Sequence, residues 1–278
     1  MSFLVLLLAV WVEKFSAGRQ RIQQDGGWLR QLARVEAAPS LQASPWLSLA
    51  LLVLVPVLLL GLLLVLLKPV AYGWLALPVH LLVLIYGLGR GDVLAALGPF
   101  RDAWRRDDLQ AAYLVASRDL GLQADEPAEL LGKVQGHLLW QAYQSFFAVI
   151  FWYALLGPVV VLAYRLLALT TEHAQQGALR ERAGQLRHVF DWLPARVLAS
   201  SFALVGDFVS VSRALLHELL NWHIPAPQLI ERAGRAAANT PLSAPGEVGL
   251  QTLDALWQMQ VRCALLWYAG FAVWTLLL

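Results

Sequence analysis

Lys133, His137, Gln141 and Gln144 recur at spacings of four, four and three in an otherwise apolar stretch, with Ser145 adjoining them. On a helix of about 3.6 residues per turn, that spacing gathers them on one face. Leu138, Leu139, Ala142, Phe146, Phe147 and Val149 lie between and opposite them. A line of hydrogen-bonding side chains in such surroundings should face protein or a water-filled cavity rather than lipid. Two readings are open: a cleft that takes a ligand or a reacting group, and a hydrogen-bonded seam between helices, where such pairs average about 0.6 kcal/mol.

A second line follows the segment FDWLPAR: Arg196, Ser200, Ala203, Asp207, Ser210, Ala214, His217 and Asn221 again step by three or four. Arg196 or Asp207 set against lipid at mid-bilayer would cost about 2.5–3.5 kcal/mol, so both should be solvated, interfacial or paired inside. An amphipathic surface helix with a solvated face accounts for the same pattern. Arg101, Arg105, Arg106, Asp107, Asp108, Arg118 and Asp119 form an ion-rich cluster, either a solvated face or a site for an anion or lipid headgroup. The six histidines show no metal-ligand spacing and no cysteine partner, so no metal and no cofactor is assigned. GLGRGD at 87–92 lacks the lysine of a phosphate loop, and no G-x-S-x-G or Cys-His arrangement supplies a nucleophile.

The elements that must position these residues are helices in a membrane. With 59% hydrophobic and 14% charged residues and a mean hydropathy of +0.58, the chain has more apolar side chains than one soluble core can hide. Long apolar runs without period-2 alternation exclude a barrel, leaving an all-α, multi-spanning integral membrane protein. A net charge of +2 gives no reason to expect nucleic acid, and single Cys263 allows no intramolecular disulfide. Spans are expected at about 46–67, 70–89, 138–170 and 261–278, with His80 the polar residue inside the second. The 138–170 run is one long helix or two broken at Gly157-Pro158. Residues 192–220 read as amphipathic or re-entrant, 222–248 as a loop-rich connection, and 90–135 as a small cytoplasmic helical layer interrupted at 121–127. Asp125-Glu126-Pro127-Ala128-Glu129 is a helix start, and the first 12 residues read as a retained short or interfacial helix, with a spanning role as the alternative. Lys and Arg in every extramembrane piece place most connections on the cytoplasmic side. All of this is taken as a single membrane domain, 1–278.

Three motifs carry a family resemblance across the chain. RRDDLQAAYLVASRDLG at 105–121, YALLGPVVVLAYR at 153–165 and DWLPAR at 191–196 resemble the AmpE family and, more distantly, the cobalamin-pathway membrane synthases CobD and CbiB. The second is similar to the synthases' Y-x-x-x-G-G-x-P run ending in Tyr-Lys, and the third to their N-x-I-P-A-R. The departures matter. Where the synthases have E-N-x-x-D-G, this chain has Gln141 at the first acid, Ala142 at the asparagine and Ser145 at the second acid. Their N-T-L-D-S-M gives way to the region around ALTTEHA at 168–174. Neutral Gln141 and Ser145 can hydrogen-bond but cannot act as carboxylates in forming an amide.

The resemblance implies a bacterial inner-membrane modulator of β-lactamase induction, linked to cell-wall recycling, with no catalytic residue assigned. Lys133, His137, Gln141, Gln144, Ser145, Arg196 and Asp207 would line a ligand cleft, with Arg118 and Asp119 at its cytoplasmic mouth. The expected partners are the lipid bilayer and a wall-derived small molecule or lipid in the cleft, with a membrane-protein partner or a second copy left open. The alternative is an active membrane enzyme joining a carboxylate to an amine, with acids drawn from Glu126, Asp119 or Asp207. Against transport stands the lack of paired broken helices in matching halves.

Overall fold

The computed structural model describes residues 23–69, 74–88, 93–239 and 246–277. Among these, every regular element is a helix, as expected. In chain order they are α1 (Gly26–Ala37), α2 (Pro45–Leu67), α3 (Ala76–Gly87), α4 (Gly98–Arg105), α5 (Leu109–Leu120), α6 (Pro127–Leu156), α7 (Pro158–His173), α8 (Gly177–Val205), α9 (Phe208–Leu215), α10 (Ala226–Ala238) and α11 (Gly246–Leu277). Single turns of helix occur at Pro39–Gln42 and Val93–Ala96. Of the described helices, α2 and α6 are long and apolar enough to cross a bilayer, and α3 is apolar but shorter. The expected helix over residues 1–12 and most of GLGRGD lie outside the described residues.

Local sequence explains where these helices start, bend and stop. Pro56 has no N–H and crowds the carbonyl four residues back, and the preceding turn of α2 widens into a π segment, Ala50–Leu54. The run read as one helix or two is two. Gly157, with φ +79°, takes a conformation that an L side chain resists, and Pro158 opens α7. At the start of α6, Pro127 occupies the first turn, and the Glu129 carboxylate accepts a hydrogen bond from the Asp125 N–H at 3.1 Å. Asp108 caps α5 by accepting from the Ala111 N–H at 3.0 Å. Two expectations need correction. α8 runs unbroken through Pro194 and stops at Val205, so the amphipathic stretch toward Asn221 is two helices. The connection at 222–248 contains a full helix, α10, whose Leu229, Ile230, Ala233, Gly234 and Ala237 form one buried face.

The helices fall into two compact units. The first comprises the described residues of Met1–Leu88 together with Ala148–Asp191. Here α7 packs on α2 and α3, and Trp28, Leu32, Val35, Leu49 and Leu52 share a core with Leu166, Leu167, Leu169, Leu179 and Ala183. Gln23 donates to the Ile85 and Leu88 carbonyls at 3.0 and 3.1 Å, satisfying the end of α3. His80, the expected polar residue of the second span, is half-buried, its Nδ1 3.1 Å from the Tyr153 hydroxyl.

The second unit comprises the described residues of Gly89–Phe147 together with Trp192–Leu278. The Pro127–Ala142 part of α6 packs against α10 and α11, α4 against α5 and α11, and α9 against α10. Gln135, wholly buried, donates to Thr252 Oγ1 at 2.8 Å, and Arg235 reaches the Gly132 carbonyl. Much of the ion-rich cluster has structural partners in this unit. Arg101 makes a two-pronged pair with Asp254 at 2.6 and 3.0 Å, and Arg105 lies 3.6 Å from both Asp102 and Glu247.

Candidate functional site

The polar line on α6 is interrupted by a change of helical geometry. Tyr143–Phe147 is a π segment, so Gln144 and Ser145 sit on a wider turn than Gln141. Such bulges rotate the side chains that follow them and recur at functional sites. Gln144 Nε2 donates to Gln141 Oε1 at 2.8 Å, joining the two amides. His137, Gln141, Gln144 and Ser145 are all half-buried, while Leu138, Leu139, Ala142 and Phe147 are buried. The tightly packed face of this helix is therefore the apolar one, and the polar line lies along its more open side. Lys133 at the line's start is exposed and held locally, its ammonium 2.6 Å from both the Gln123 carbonyl and Glu129 Oε1.

The second line uses its charges on the backbone. Arg196 donates to the carbonyls of Leu219, Trp192 and Asn221 at 2.6, 2.8 and 2.5 Å, and its guanidinium lies 4.2 Å from the centre of the Trp192 ring. It secures the turn after α9. Asp207 caps α9: its carboxylate accepts from the Ser210 N–H at 3.0 Å and the Ser210 hydroxyl at 2.8 Å. Those bonds, the backbone one first, hold its carboxyl below the usual range. Asp119 accepts two bonds from Arg118 at 2.6 and 2.8 Å, and this pairing likewise pulls its carboxyl down. Of the nine expected site residues, the structure joins Gln141 to Gln144 and Arg118 to Asp119, and gives Lys133, Arg196 and Asp207 partners from their own neighbourhoods.

A cluster the expected site omits lies in the first unit. The Tyr164 hydroxyl donates to Asp191 Oδ1 at 2.9 Å, with both residues buried. Arg187 lies 3.5 Å from Asp191 and 3.7 Å from Glu172. Next in sequence, Arg165 reaches Asp25 at 3.3 Å and sits 6.0 Å from the centre of the Tyr86 ring. Tyr164-Arg165 and Asp191 belong to two of the motifs that carry the family resemblance. That was the available signal, but it names motifs without pairing them.

The chemistry on hand is hydrogen bonding and ion pairing. Among the described residues, no three His, Cys, Asp or Glu side chains gather as metal ligands. A general base works best with a pKa near the working pH, and Asp119 and Asp207 are moved away from that range.

Comparison with known proteins adds the following. The family described as "Regulatory signalling modulator protein AmpE" matches residues 1–235. Protein AmpE of Shigella flexneri is 26% identical over 179 residues, 60% of this chain and 63% of that protein, so the chain matches less than two thirds of its length. Cobalamin biosynthesis protein CobD of Stutzerimonas stutzeri (strain A1501) is 29% identical over 224 residues, covering 74% of this chain and 72% of that one. No solved structure matches.

Proposed function

Since this chain belongs to the AmpE family of regulatory signalling modulators, we propose that it is a multi-pass inner-membrane protein that modulates β-lactamase induction in response to cell-wall recycling. In this reading it is a non-catalytic relative of the CobD and CbiB synthases. Its polar line on α6, with Arg118 and Asp119 near the cytoplasmic mouth, serves a ligand or partner. The observation that carries the reading is the Gln141–Gln144 pair at the π segment, beside Ser145: a half-open, hydrogen-bonding surface that is neutral where the synthases have acids. A wall-derived sugar-peptide suits such a surface through its hydroxyls and amides.

The test is direct. Purified protein is incubated with nucleotide and candidate amine and carboxylate substrates, and binding of wall fragments is measured in parallel. Binding without turnover, lost in Gln141→Leu, is expected. Turnover that disappears in Asp119→Asn or Asp207→Ser would favour the amide-forming enzyme. Serine at 207 is chosen because it still caps a helix, whereas alanine would cost about 1 kcal/mol of stability and confuse the result.

Membrane placement draws support from α2, whose Leu58, Leu59, Leu62, Val65 and Leu66 are exposed. Lipid solvates such a surface and water does not. Cysteines introduced at the exposed positions Arg106 and Glu181 are both expected to be shielded from an outside-only thiol reagent in intact cells. Labelling of one alone would mean that the chain between them crosses an odd number of times.

A further inference from the structure

Where α8 ends and α9 begins, the second unit has a groove of about 360 Å³, within the usual range for a ligand pocket. Its walls include Ala203, Leu204, Phe208, Val211, Leu215 and Leu219. The apolar surface does not stop at the rim: Leu204 is 70% exposed, Leu216 73% and Leu220 81%, with Phe208 and Val209 also outward. Beyond it, the Trp192 and Trp222 rings lie 5.7 Å apart, beside the Arg196 guanidinium. Apolar side chains bordered by tryptophan and arginine are the pattern of a membrane–water boundary.

The charges around the groove favour one kind of occupant. Glu218 is paired with Arg232, and Asp207 gives its oxygens to Ser210 at the far end of α9. Arg213 also helps hold the Asp207 carboxyl low, after the Ser210 bonds. Arg213, His217 and His223, on α9 and the turns that follow it, are exposed. They suit a phosphate, while the groove suits a hydrocarbon chain.

We infer that this groove holds an acyl chain of an anionic phospholipid, with its phosphate met by exposed Arg213 of the same helix, α9. The site is separate from the polar line on α6 and shares with the proposed function only the membrane location, which the thiol labelling at positions 106 and 181 tests independently.

The test titrates the detergent-purified full chain with phosphatidylglycerol or phosphatidylcholine and counts retained lipids by native mass spectrometry. One phosphatidylglycerol per chain is expected, held more tightly than phosphatidylcholine. Ala203→Phe, which fills the floor of the groove, should abolish retention of both. Arg213→Gln, at an exposed position in the last turn of α9, should keep the lipid but reduce the preference for phosphatidylglycerol about fivefold, the effect of one basic residue near an anionic surface. Equal retention of the two lipids by the unaltered protein overturns the inference, as does an Arg213→Gln variant with unchanged preference. A folded Ala203→Phe variant that keeps its lipid overturns it too. If Ala203→Phe does not fold, the Arg213→Gln comparison decides.

Discussion

Asp191→Ala is expected to destabilise the protein by about 3–5 kcal/mol, the cost of stripping a buried ion pair of one member. Asp191 is 3% exposed, accepts from the Tyr164 hydroxyl and faces Arg187. Alanine would remove the buried carboxylate that faces the Arg187 guanidinium, leaving it the half-exposed Glu172 carboxylate at 3.7 Å and the Tyr164 hydroxyl. Tyr164→Phe removes a hydrogen bond but no charge and should cost about 1 kcal/mol. Asp191→Asn keeps an oxygen for Tyr164 and loses the charge, so it should fall between. Unfolding midpoints in detergent read this ranking. The double variant Asp191→Leu with Arg187→Met should recover much of the loss, because a well-packed apolar pair often replaces a buried ion pair at little cost. Full stability in Asp191→Ala would show that Arg187 is neutralised by some other route.

That cluster marks where sequence reasoning ends. The Tyr-Arg at 164–165 and the Asp at 191 were each visible in a motif, but a one-dimensional pattern does not say that a hydroxyl at one reaches a carboxylate 27 positions away. The helical class was legible, because long apolar runs without alternation leave few other solutions. At Gly157-Pro158 the place of a possible break was legible but one long helix stayed equally open, because a proline can also sit inside a helix, as Pro194 does in α8. Helix α10 was hidden by the same residues. Pro225, Pro227 and Gly234 read as loop signals, yet both prolines sit at the helix start and Gly234 lies against Leu139. The polar line on α6 was legible as a periodicity, and its geometry was not. The π segment at Tyr143–Phe147 changes the register in mid-line, and a constant period of 3.6 cannot reveal that. Asp207 and Arg196 stood out as charges on an apolar background. Ser210 and the Leu219 and Asn221 carbonyls become their partners only because α8 stops at Val205 and the chain turns.

What stops α8 there is a close approach, and substituting it should have the second large effect. A Cβ on Gly206 would lie 2.5 Å from the Ala237 carbonyl oxygen and 2.8 Å from the Ala237 Cβ. The next N–H, that of Asp207, donates to the same carbonyl at 3.0 Å, so the turn after α8 is fastened to the end of α10. Gly206→Ala must push backbone away from backbone, at about 1–3 kcal/mol, and Gly206→Val should cost more. Trimming the side chain opposite cannot relieve it: Gly206→Ala combined with Ala237→Gly should remain destabilised, because the nearest atom is a main-chain oxygen. Gly234 supplies the contrast, for its added Cβ would meet only Leu139 side-chain carbons at 2.8 and 2.9 Å. Gly234→Ala should therefore be rescued in large part by Leu139→Ala, once the cost of Leu139→Ala alone is subtracted. The two glycines also separate packing from function. Gly206 leads into α9, which forms one wall of the apolar groove, so Gly206→Ala should loosen retained phospholipid even at temperatures where the protein stays folded. Gly234→Ala alters the packing of α10 on α6 and should leave that lipid in place. Equal lipid loss in both variants would trace it to general destabilisation instead of to the turn that shapes the groove.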